Sequence, residues 1–262
     1  MLILLQACGS GDRPSSTNSL SDFEEFVPRT NLPFVPDDLS GITYNYDSGT
    51  FYLIRNNLTT IWETTTSYQL LRTISTVGGF GDSEDITYLG NDEYAIVSEE
   101  SILYIGRIPP GSTNTIIDSD NFQKIIFAPP GGNKGPEGVT FDITTQSFYI
   151  VKEQFPRKLY TFIRPASSVD MVIIATEPFD AETIPNPRLT QDMSGVFFNP
   201  MTGRLLILSD LDHRVMDITL DGTVFGVLDF PDEQYEGITL DGSGKLHVVG
   251  ERNFIHVWSA TN

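Results

Sequence analysis

The sequence contains a single cysteine, Cys8, among 262 residues. One thiol per chain excludes an intramolecular disulfide framework and a cysteine-based zinc site. Basic residues are scarce as well, because 16 Lys and Arg stand against 35 Asp and Glu, for a formal net charge of -19. This balance repels phosphate backbones, so we expect no nucleic-acid partner and an affinity for cations instead.

Long hydrophobic runs are also missing, and no segment has the length and apolarity of a membrane-spanning helix. The sequence has no G-x-S-x-G nucleophile motif and no phosphate-binding glycine loop. What it does have is 22 Gly, 16 Pro and 11% aromatic residues, which is typical of a globular β protein with many turns. Its length suits one all-β domain, which we expect to be a monomer.

The N-terminal stretch "MLILLQACGSGDRPSSTNSLSDFEEF" resembles a bacterial lipobox, in which the chain is cleaved before the cysteine and the thiol receives a diacylglycerol. The apolar run before Cys8 is shorter than a signal peptide, so we expect the natural start to lie upstream. We interpret residues 1–22 as a truncated lipoprotein signal and flexible tether, and residues 23–262 as the folded domain. The expected location is the bacterial cell envelope, either periplasmic or attached to the outer membrane through Cys8 alone. The alternative is a disordered N terminus with a stray thiol.

One hairpin pattern occurs five times along the chain. The copies are "LSGITYNYDSGTFYLIRN", "SEDITYLGNDEYAIVSE", "PEGVTFDITTQSFYIVKE", "MSGVFFNPMTGRLLILSD" and "YEGITLDGSGKLHVVGE". Their glycine positions, at residues 41, 85, 138, 195 and 237, are separated by 44, 53, 57 and 42 residues. This spacing predicts one four-stranded blade per repeat, with insertions in the second and third. A chance similarity within a β-sandwich is the alternative.

The strands that follow each hairpin complete the predicted blades. Candidate outer strands are "TTIWETT" and "QLLRTIS", "ILYIGRI" and "FQKIIFA", "KLYTFIR" and "MVIIATE", and "RVMDITL" and "VFGVLDF". The fifth copy is followed only by "FIHVWSA", so its blade lacks an outer strand. We expect "EEFVPRTNLPF" near the N terminus to supply it. The predicted fold is therefore an all-β, five-bladed propeller of antiparallel blades, with a six-bladed propeller as the alternative.

Acidic residues recur at two fixed positions of the repeat. Just before the glycine position stand Ser40, Glu84, Glu137, Ser194 and Glu236. At the end of the second strand, 14 or 15 residues after the glycine position, stand Asn56, Glu99, Glu153, Asp210 and Glu251. In an antiparallel hairpin the start of the first strand lies beside the end of the second. Both rows should therefore surround the mouth of the central channel.

Carboxylates crowded on a small radius repel one another unless a positive charge offsets them. The neighbouring basic residues Arg55, Lys152 and Arg252 should face away, because successive side chains of a strand alternate between faces. A bound cation is the economical answer, and ligands that are all oxygen favour Ca2+. The predicted first ligands are Glu84, Glu137 and Glu236. Direct or outer partners would be Glu99, Glu153, Asp210 and Glu251. The alternative is that the second row caps strand ends and hydrogen-bonds to neighbouring blades.

The segments "DDLSGITYN", "GDSEDITYLGNDEYAIVSEE", "GPEGVTFD", "DMSGVFFNPMTGRLLILSD" and "YEGITLDGSGKLHVVGE" resemble the SdiA-regulated (YjiK-like) family of bacterial envelope proteins. The resemblance covers roughly Pro33 to Ser259 and implies a five-bladed propeller with a calcium site and distant kinship to NHL repeats. Ser40 and Ser194 stand where a fully acidic ring would have Glu. We therefore expect the metal off the axis, towards blades two, three and five.

Two classes of function remain open on the sequence. The favoured one is a non-catalytic envelope module that binds an unidentified small molecule or protein and that calcium stiffens. The alternative is a calcium-dependent hydrolase of lactones or phosphoesters. Such an enzyme needs a base, and among His213, His247 and His256 only His213 is a candidate to face the channel.

Overall fold

A computed structural model describes residues 19–57, 59–129, 134–154, 156–178 and 190–261. The strands of its first half are β1 (Phe23–Asn31), β2 (Leu39–Asn45), β3 (Thr50–Arg55), β4 (Thr60–Thr64), β5 (Leu70–Val77), β6 (Ser83–Gly90), β7 (Glu93–Ser98), β8 (Ile102–Arg107), β9 (Thr115–Asp118) and β10 (Gln123–Ile126). Those of its second half are β11 (Pro136–Asp142), β12 (Ser147–Lys152), β13 (Lys158–Ile163), β14 (Met171–Val172), β15 (Gly195–Asn199), β16 (Arg204–Ser209), β17 (Arg214–Ile218), β18 (Val224–Asp229), β19 (Tyr235–Leu240), β20 (Leu246–Gly250) and β21 (Phe254–Ala260). Two short 3₁₀ turns span Leu20–Asp22 and Ser119–Asn121.

These strands form five sheets, each built on one of the repeated hairpins. The first strands of the five hairpins, β2, β6, β11, β15 and β19, are the innermost, and each contacts the next around the ring. The contact between β19 and β2 closes the circle. The predicted five-bladed propeller is confirmed.

Side chains of Asn and Asp fix the hairpin turns on the face opposite the acidic rows. The carboxamide oxygen of Asn45 accepts a hydrogen bond from the amide of residue 47 at 2.9 Å, and the Asp142 carboxylate accepts one from residue 144 at 2.8 Å. Asn199 and Asp241 make the same bond two residues on, at 3.0 and 2.8 Å. This local bond is why Asn and Asp are favoured in such turns, and it explains their recurrence in the repeat.

The last blade is closed by the N-terminal strand, as predicted. Strand β1 pairs antiparallel with β21, from Phe23 opposite Ala260 to Asn31 opposite Phe254. A further contact joins the Oε2 atom of Glu25 to the Nε2 atom of the buried His256 at 2.6 Å. Because both ends of the described chain lie in one sheet, opening the ring requires breaking this strand pair.

The hydrophobic core is divided among the five gaps between blades. Blades one and two share a cluster in which Ile54 faces Ile96, and blades two and three share one in which Val97 accompanies Ile150. The other three gaps are filled in the same way. Each blade is therefore sandwiched by apolar residues, as expected for a sheet with two buried faces.

The outer strand of the third repeat differs from the prediction, whereas β8 and β10 complete the second blade as expected. The segment "MVIIATE" was expected to complete the third blade, but β14 pairs in parallel with β10 of the second blade. This segment meets the third blade through the bridge between Thr161 and Thr176 and the ion pair of Glu177 with Lys158, and the main sheet of that blade has three strands. Strand β9, from the second repeat, likewise pairs in parallel with β5 of the first blade. The two insertions thus each cover the exposed edge of the preceding blade, which avoids an unpaired strand edge.

The described part of the chain contains no helix that is both long and apolar enough to cross a bilayer. The predicted lipidation site, Cys8, lies outside the described residues, as does most of the predicted tether. The chain enters the fold at Leu20, which is 3% exposed and packs into the core between blades four and five.

Glycine at position 237 should be essential for closing the ring. A Cβ atom there would lie 2.7 Å from the carbonyl oxygen of Ser40 on the first blade. We expect Gly237→Ala to lower the free energy of unfolding by about 1–3 kcal/mol, the usual cost of overpacking. Urea denaturation would measure this. Gly226→Ala is the control, since a Cβ there meets only ordinary contacts from 3.5 Å, and its effect should stay within about 0.5 kcal/mol. Equal effects of the two substitutions would contradict the proposed role of close packing.

Candidate metal centre

The two acidic rows meet in one cavity at the mouth of the ring, with a volume of about 200 Å³. Its lining consists of Asp38, Ser40, Asn56, Glu84, Glu99, Glu137, Glu153, Asp192, Ser194, Asp210, Glu236 and Glu251. Nine of these twelve side chains are carboxylic acids, and none is basic. All ten residues of the two sequence rows are among them, so the hairpin geometry inferred from the repeat is correct.

A β-bulge positions the first row. In the first blade Leu39 pairs with Arg55 and Gly41 with Ile54, so Ser40 has no cross-strand partner. The register skips one residue in the same way at Glu84, Glu137 and Glu236. A bulged residue is released from the regular alternation of the strand, which lets its side chain point elsewhere. The bulges thus direct the first-row side chains into the cavity, and regular strand pairing resumes at the residue that follows each bulge.

The second row is held by backbone hydrogen bonds that extend the hairpins past their last strand pair. The amide of Glu99 donates to the carbonyl of Asp82 at 2.8 Å, and the amide of Glu153 donates to the carbonyl of Gly135 at 3.1 Å. These bonds hold the start and the end of each hairpin side by side. The side chains of the two rows therefore enter the cavity from neighbouring positions.

Three carboxylates converge most closely. One carboxylate oxygen from each of Glu84, Glu99 and Glu137 lies within 4.8 Å of the other two. Glu84 is only 4% exposed, and its buried Oε1 atom has no hydrogen-bond partner. Two oxygens on opposite sides of a calcium ion, with bonds of about 2.4 Å, are separated by about 4.8 Å. This arrangement fits a hard cation without rearrangement of the backbone.

The other predicted ligands line the same cavity outside that cluster. Asp210 accepts a hydrogen bond from the amide of Tyr235 at 2.9 Å, and Glu153 accepts one from the side chain of Gln154 at 2.8 Å. Glu236 was expected among the first three ligands, but the closest group contains Glu99 in its place. The geometric centre thus lies between blades two and three, and blade five contributes Glu236 and Glu251 from further off.

Burial and mutual repulsion disturb the acidity of these groups strongly. Burial raises the pKa of Glu84 to about 10, and the charges of Glu99 and Asp82 add to the effect. Burial, followed by neighbouring carboxylates, also holds the pKa values of Glu137 and Glu236 well above their usual range. Burial raises the pKa of Asp210 to about 6 despite the amide of Tyr235. Without a cation, the cavity therefore retains protons at neutral pH.

Sequence reasoning missed two lining residues, Asp38 and Asp192. Both stand two residues before the serine in the repeats that have Ser40 or Ser194 at the first-row position. Asp192 is 2% exposed and accepts hydrogen bonds from the hydroxyl of Ser209 and from the amide of Leu211. The signal was visible in "DDLSG" and "DMSG", where the carboxylate has moved by two positions.

The basic residues near the rows do not line the cavity. Arg55 forms ion pairs with Asp37 at 2.7 Å and Asp38 at 3.3 Å on its rim. The Nζ atom of Lys152 donates to the backbone carbonyls of Lys134 and Gln154. Arg55 thus offsets the charge of Asp38 at the edge of the cavity, and no Lys or Arg side chain is part of the cavity lining.

The histidines do not enter the cavity either. His213, the candidate to face the channel, instead contacts the carbonyl of Glu233 and the carboxylate of Asp232, each at 3.2 Å, so that expectation is wrong. His247 and His256 are 3% and 2% exposed within the last blade. The residues that line the cavity are therefore oxygen donors without imidazole.

The ring of five blades and the acidic cavity define a five-bladed β-propeller with a candidate cation site at its mouth. The SdiA-regulated family profile matches residues 15–259, nearly the whole sequence. The chain therefore belongs to the SdiA-regulated family, which confirms the resemblance seen in the repeats.

Solved propellers of other kinds share the fold. A luciferin-regenerating enzyme is 11% identical with a TM-score of 0.55, covering 89% of this chain and 95% of its own. A structure titled as a calcium-binding protein, regucalcin from Agrobacterium tumefaciens str. C58, is 12% identical with a TM-score of 0.54, covering 95% of both chains. A chain of a nidogen/laminin complex is 12% identical with a TM-score of 0.52, covering 81% of this chain and 72% of its own. At such identities the likeness shows the fold alone.

Removing the carboxylate of Glu84 should stabilise the metal-free protein at alkaline pH. Its pKa is about 10 in the folded protein and about 4.3 in an unfolded chain, so its contribution to stability is full below pH 4 and is lost as the pH rises towards 10. With chelator present, Glu84→Gln should therefore raise the melting temperature at pH 8 by several degrees and leave it nearly unchanged at pH 4.

Glu24→Gln, on the exposed outer strand β1, is the control and should have little effect at either pH. Melting curves followed by circular dichroism would measure both variants. A metal-free Glu84→Gln protein less stable than the wild type at pH 8 would show that Glu84 is not held in a repulsive site.

Proposed function

We propose that this protein binds Ca2+ at the mouth of the propeller, with Glu84, Glu99 and Glu137 as direct ligands. The observation that carries the proposal is the buried, unpartnered Oε1 atom of Glu84 within a group of three carboxylates whose oxygens lie within 4.8 Å of one another. A buried carboxylate oxygen without a partner is costly, and a cation removes that cost.

The chemistry of the cavity favours calcium over other metals. Its lining offers carboxylate, hydroxyl and carboxamide oxygens, whereas zinc and copper prefer nitrogen or sulfur ligands. Calcium accepts six to eight oxygen ligands in a flexible arrangement, while magnesium demands a small and nearly ideal octahedron. A cavity of about 200 Å³ leaves room for the larger shell and for bound water.

The remaining carboxylates complete the electrostatics of the site. Glu153, Asp210, Glu236 and Glu251 line the cavity around the closest group. We assign them to water-mediated contacts with the ion and to the retention of further positive charge. Their excess over one divalent ion makes the cavity attractive to a cationic ligand or partner.

In this proposal the protein is a binding module whose ring calcium stiffens. The absence of histidine from the lining supports it, because a neutral base beside the metal is missing. One observation favours the alternative of a calcium-dependent hydrolase of lactones or phosphoesters. Asp210, with a pKa of about 6, could accept a proton from water near neutral pH.

We place the module at the bacterial cell envelope, held by a lipid on Cys8. The lipobox-like sequence around Cys8 supports this placement. In a bacterial host, with a complete lipoprotein signal sequence fused ahead of Leu5, mass spectrometry should detect a diacylglycerol-modified N-terminal Cys8. Cys8→Ser should shift the protein from the membrane fraction to the soluble fraction. An unmodified Cys8 in the purified protein would exclude the anchor.

Calcium should stabilise the chelator-treated protein. At a concentration 100 times its dissociation constant, one bound ion adds about 2.7 kcal/mol, which corresponds to roughly 5–10 °C for a domain of this size. Magnesium at the same concentration should give less than half of that shift. Differential scanning fluorimetry would measure both.

Variants separate the ligands from general charge effects. Glu137→Gln should abolish most of the calcium shift, and Glu24→Gln, which removes the same charge from the outer strand β1, should retain it. A wild-type protein without a calcium-dependent shift would refute the proposed function. Turnover of a lactone or phosphoester that Glu137→Gln abolishes would replace the binding module with the hydrolase.

A further inference from the structure

One of the five inner strands lacks the glycine that the other four have at the same position of the repeat. Four of them have glycine after the first-row residue, at positions 41, 138, 195 and 237, whereas the second blade has Asp85. A Cβ atom on Gly138 would lie 2.8 Å from the amide nitrogen of Val196, and one on Gly195 would lie 2.7 Å from the carbonyl oxygen of Glu236. Four blades thus leave no room for a side chain at this level, whereas the second blade places an aspartate there.

The Asp85 side chain lies between blades and not in the acidic cavity. It is 1% exposed and is absent from the cavity lining. On the first blade, Gly41 makes space for it, because a Cβ atom on Gly41 would lie 2.7 Å from the Oδ1 atom of Asp85. The aspartate and the glycine beside it are therefore complementary.

The carboxyl group of Asp85 accepts backbone hydrogen bonds from its own blade and from the third blade. Its Oδ1 atom accepts from the amide of Ile86 at 2.8 Å in its own strand, and its Oδ2 atom accepts from the amide of Val139 at 2.9 Å in the third blade. The amide of Ile42 in the first blade lies near enough to this carboxyl group to favour its ionised form. Burial raises the pKa of this carboxyl group well above its usual range, and the backbone amides around it partly lower it.

These bonds act at the level of the three-glutamate group. Glu84 immediately precedes Asp85, and Glu137 lies two residues before Val139. The bond from Val139 to Asp85 therefore fixes the separation of the two strands that supply these glutamates. When both glutamates are ionised, repulsion between Glu84 and Glu137 pushes the same two strands apart.

We propose that Asp85 is a positioning residue, which holds Glu84 and Glu137 at the separation that one cation requires by bonding the inner strand of the second blade to that of the third. This inference rests on the proposed calcium site. Asp85 does not touch the ion; it acts through the backbone of the strands that carry the ligands.

The test compares calcium affinity among variants that are folded at the temperature of measurement. Asp85→Asn keeps the size of the side chain but replaces one accepting oxygen with an NH2 group that faces amide donors. Asp85→Gly gives the second blade the residue of the other four. Val215→Ala is the control for general destabilisation, because Val215 is fully buried in the core between blades four and five.

Isothermal titration calorimetry at 15 °C on chelator-treated protein should give a calcium dissociation constant at least tenfold weaker for both Asp85 variants. The calcium dissociation constant of the Val215→Ala protein should stay within twofold of the wild-type value. This should hold even if its melting temperature falls as far as those of the Asp85 variants. Asp85→Asn combined with Glu137→Gln should be no weaker than Glu137→Gln alone, since the positioning then has no ligand pair to serve.

The outcomes separate the two proposals. Wild-type protein that binds no calcium refutes the proposed function, whereas wild-type binding with Asp85 variants within twofold refutes the positioning role alone. If neither Asp85 variant folds, hydrogen exchange in the wild type decides. Calcium should then slow exchange at the amide of Val139 at least tenfold, and an unchanged rate would overturn the inference.

Discussion

Repulsion among carboxylates at the centre of the ring is the constraint on which the rest of this structure depends. Nine acidic side chains line one small cavity, and no basic side chain shares it. Their mutual repulsion pushes the inner strands outward, and it grows as water is excluded. The five apolar clusters between blades and the closing pair of β1 with β21 oppose it. A ring is suited to this task, because every blade is held on both sides.

The bulges reconcile the site with the sheet. In a regular strand, successive side chains alternate strictly between the two faces of the sheet. That alternation does not allow an acidic residue to enter the cavity while the next residue packs tightly against the neighbouring blade. By leaving Glu84, Glu137 and Glu236 unpaired, the inner strands free those side chains while the following positions pack at close range. The acidic residue and the glycine after it therefore form one structural unit, which explains why they recur together in the sequence.

Much of this could be read from the sequence, because a repeat reports a fold through its period. The spacing of the glycine positions predicted five blades, and the truncated last copy predicted closure by the N-terminal strand. The two acidic rows predicted the lining of the cavity, since hairpin pairing alone brings them to one end. These inferences depend on local periodicity and on chain connectivity, both of which the sequence carries directly.

The remaining features depend on contacts between blades, which the repeat does not encode. The closest carboxylate group includes Glu99 and not Glu236, and the pairing within one hairpin does not set the distances between carboxylates of different blades. The segment "MVIIATE" has the residues of a strand, but its partner was decided by the free edge of β10. Asp38 and Asp192 stand two residues before Ser40 and Ser194, outside the two repeat positions that hold the other acidic residues of the lining.

The parallel strands from the two insertions have a further consequence for how the ring comes apart. Strand β9 follows β8 of the second blade but joins the sheet of the first, and the chain then returns to the second blade at β10. The segment from Met171 to Thr176 bonds to the second blade on one side and to the third on the other. Blades one to three are thus linked along their outer rim by segments that pair with a neighbouring blade. In the described residues no such strand links blade four to blade five. Partial unfolding should begin in blades four and five, as in proteins whose segments open as separate cooperative units. Glu84, Glu99 and Glu137 belong to blades two and three, so the metal site should stay folded when blades four and five open.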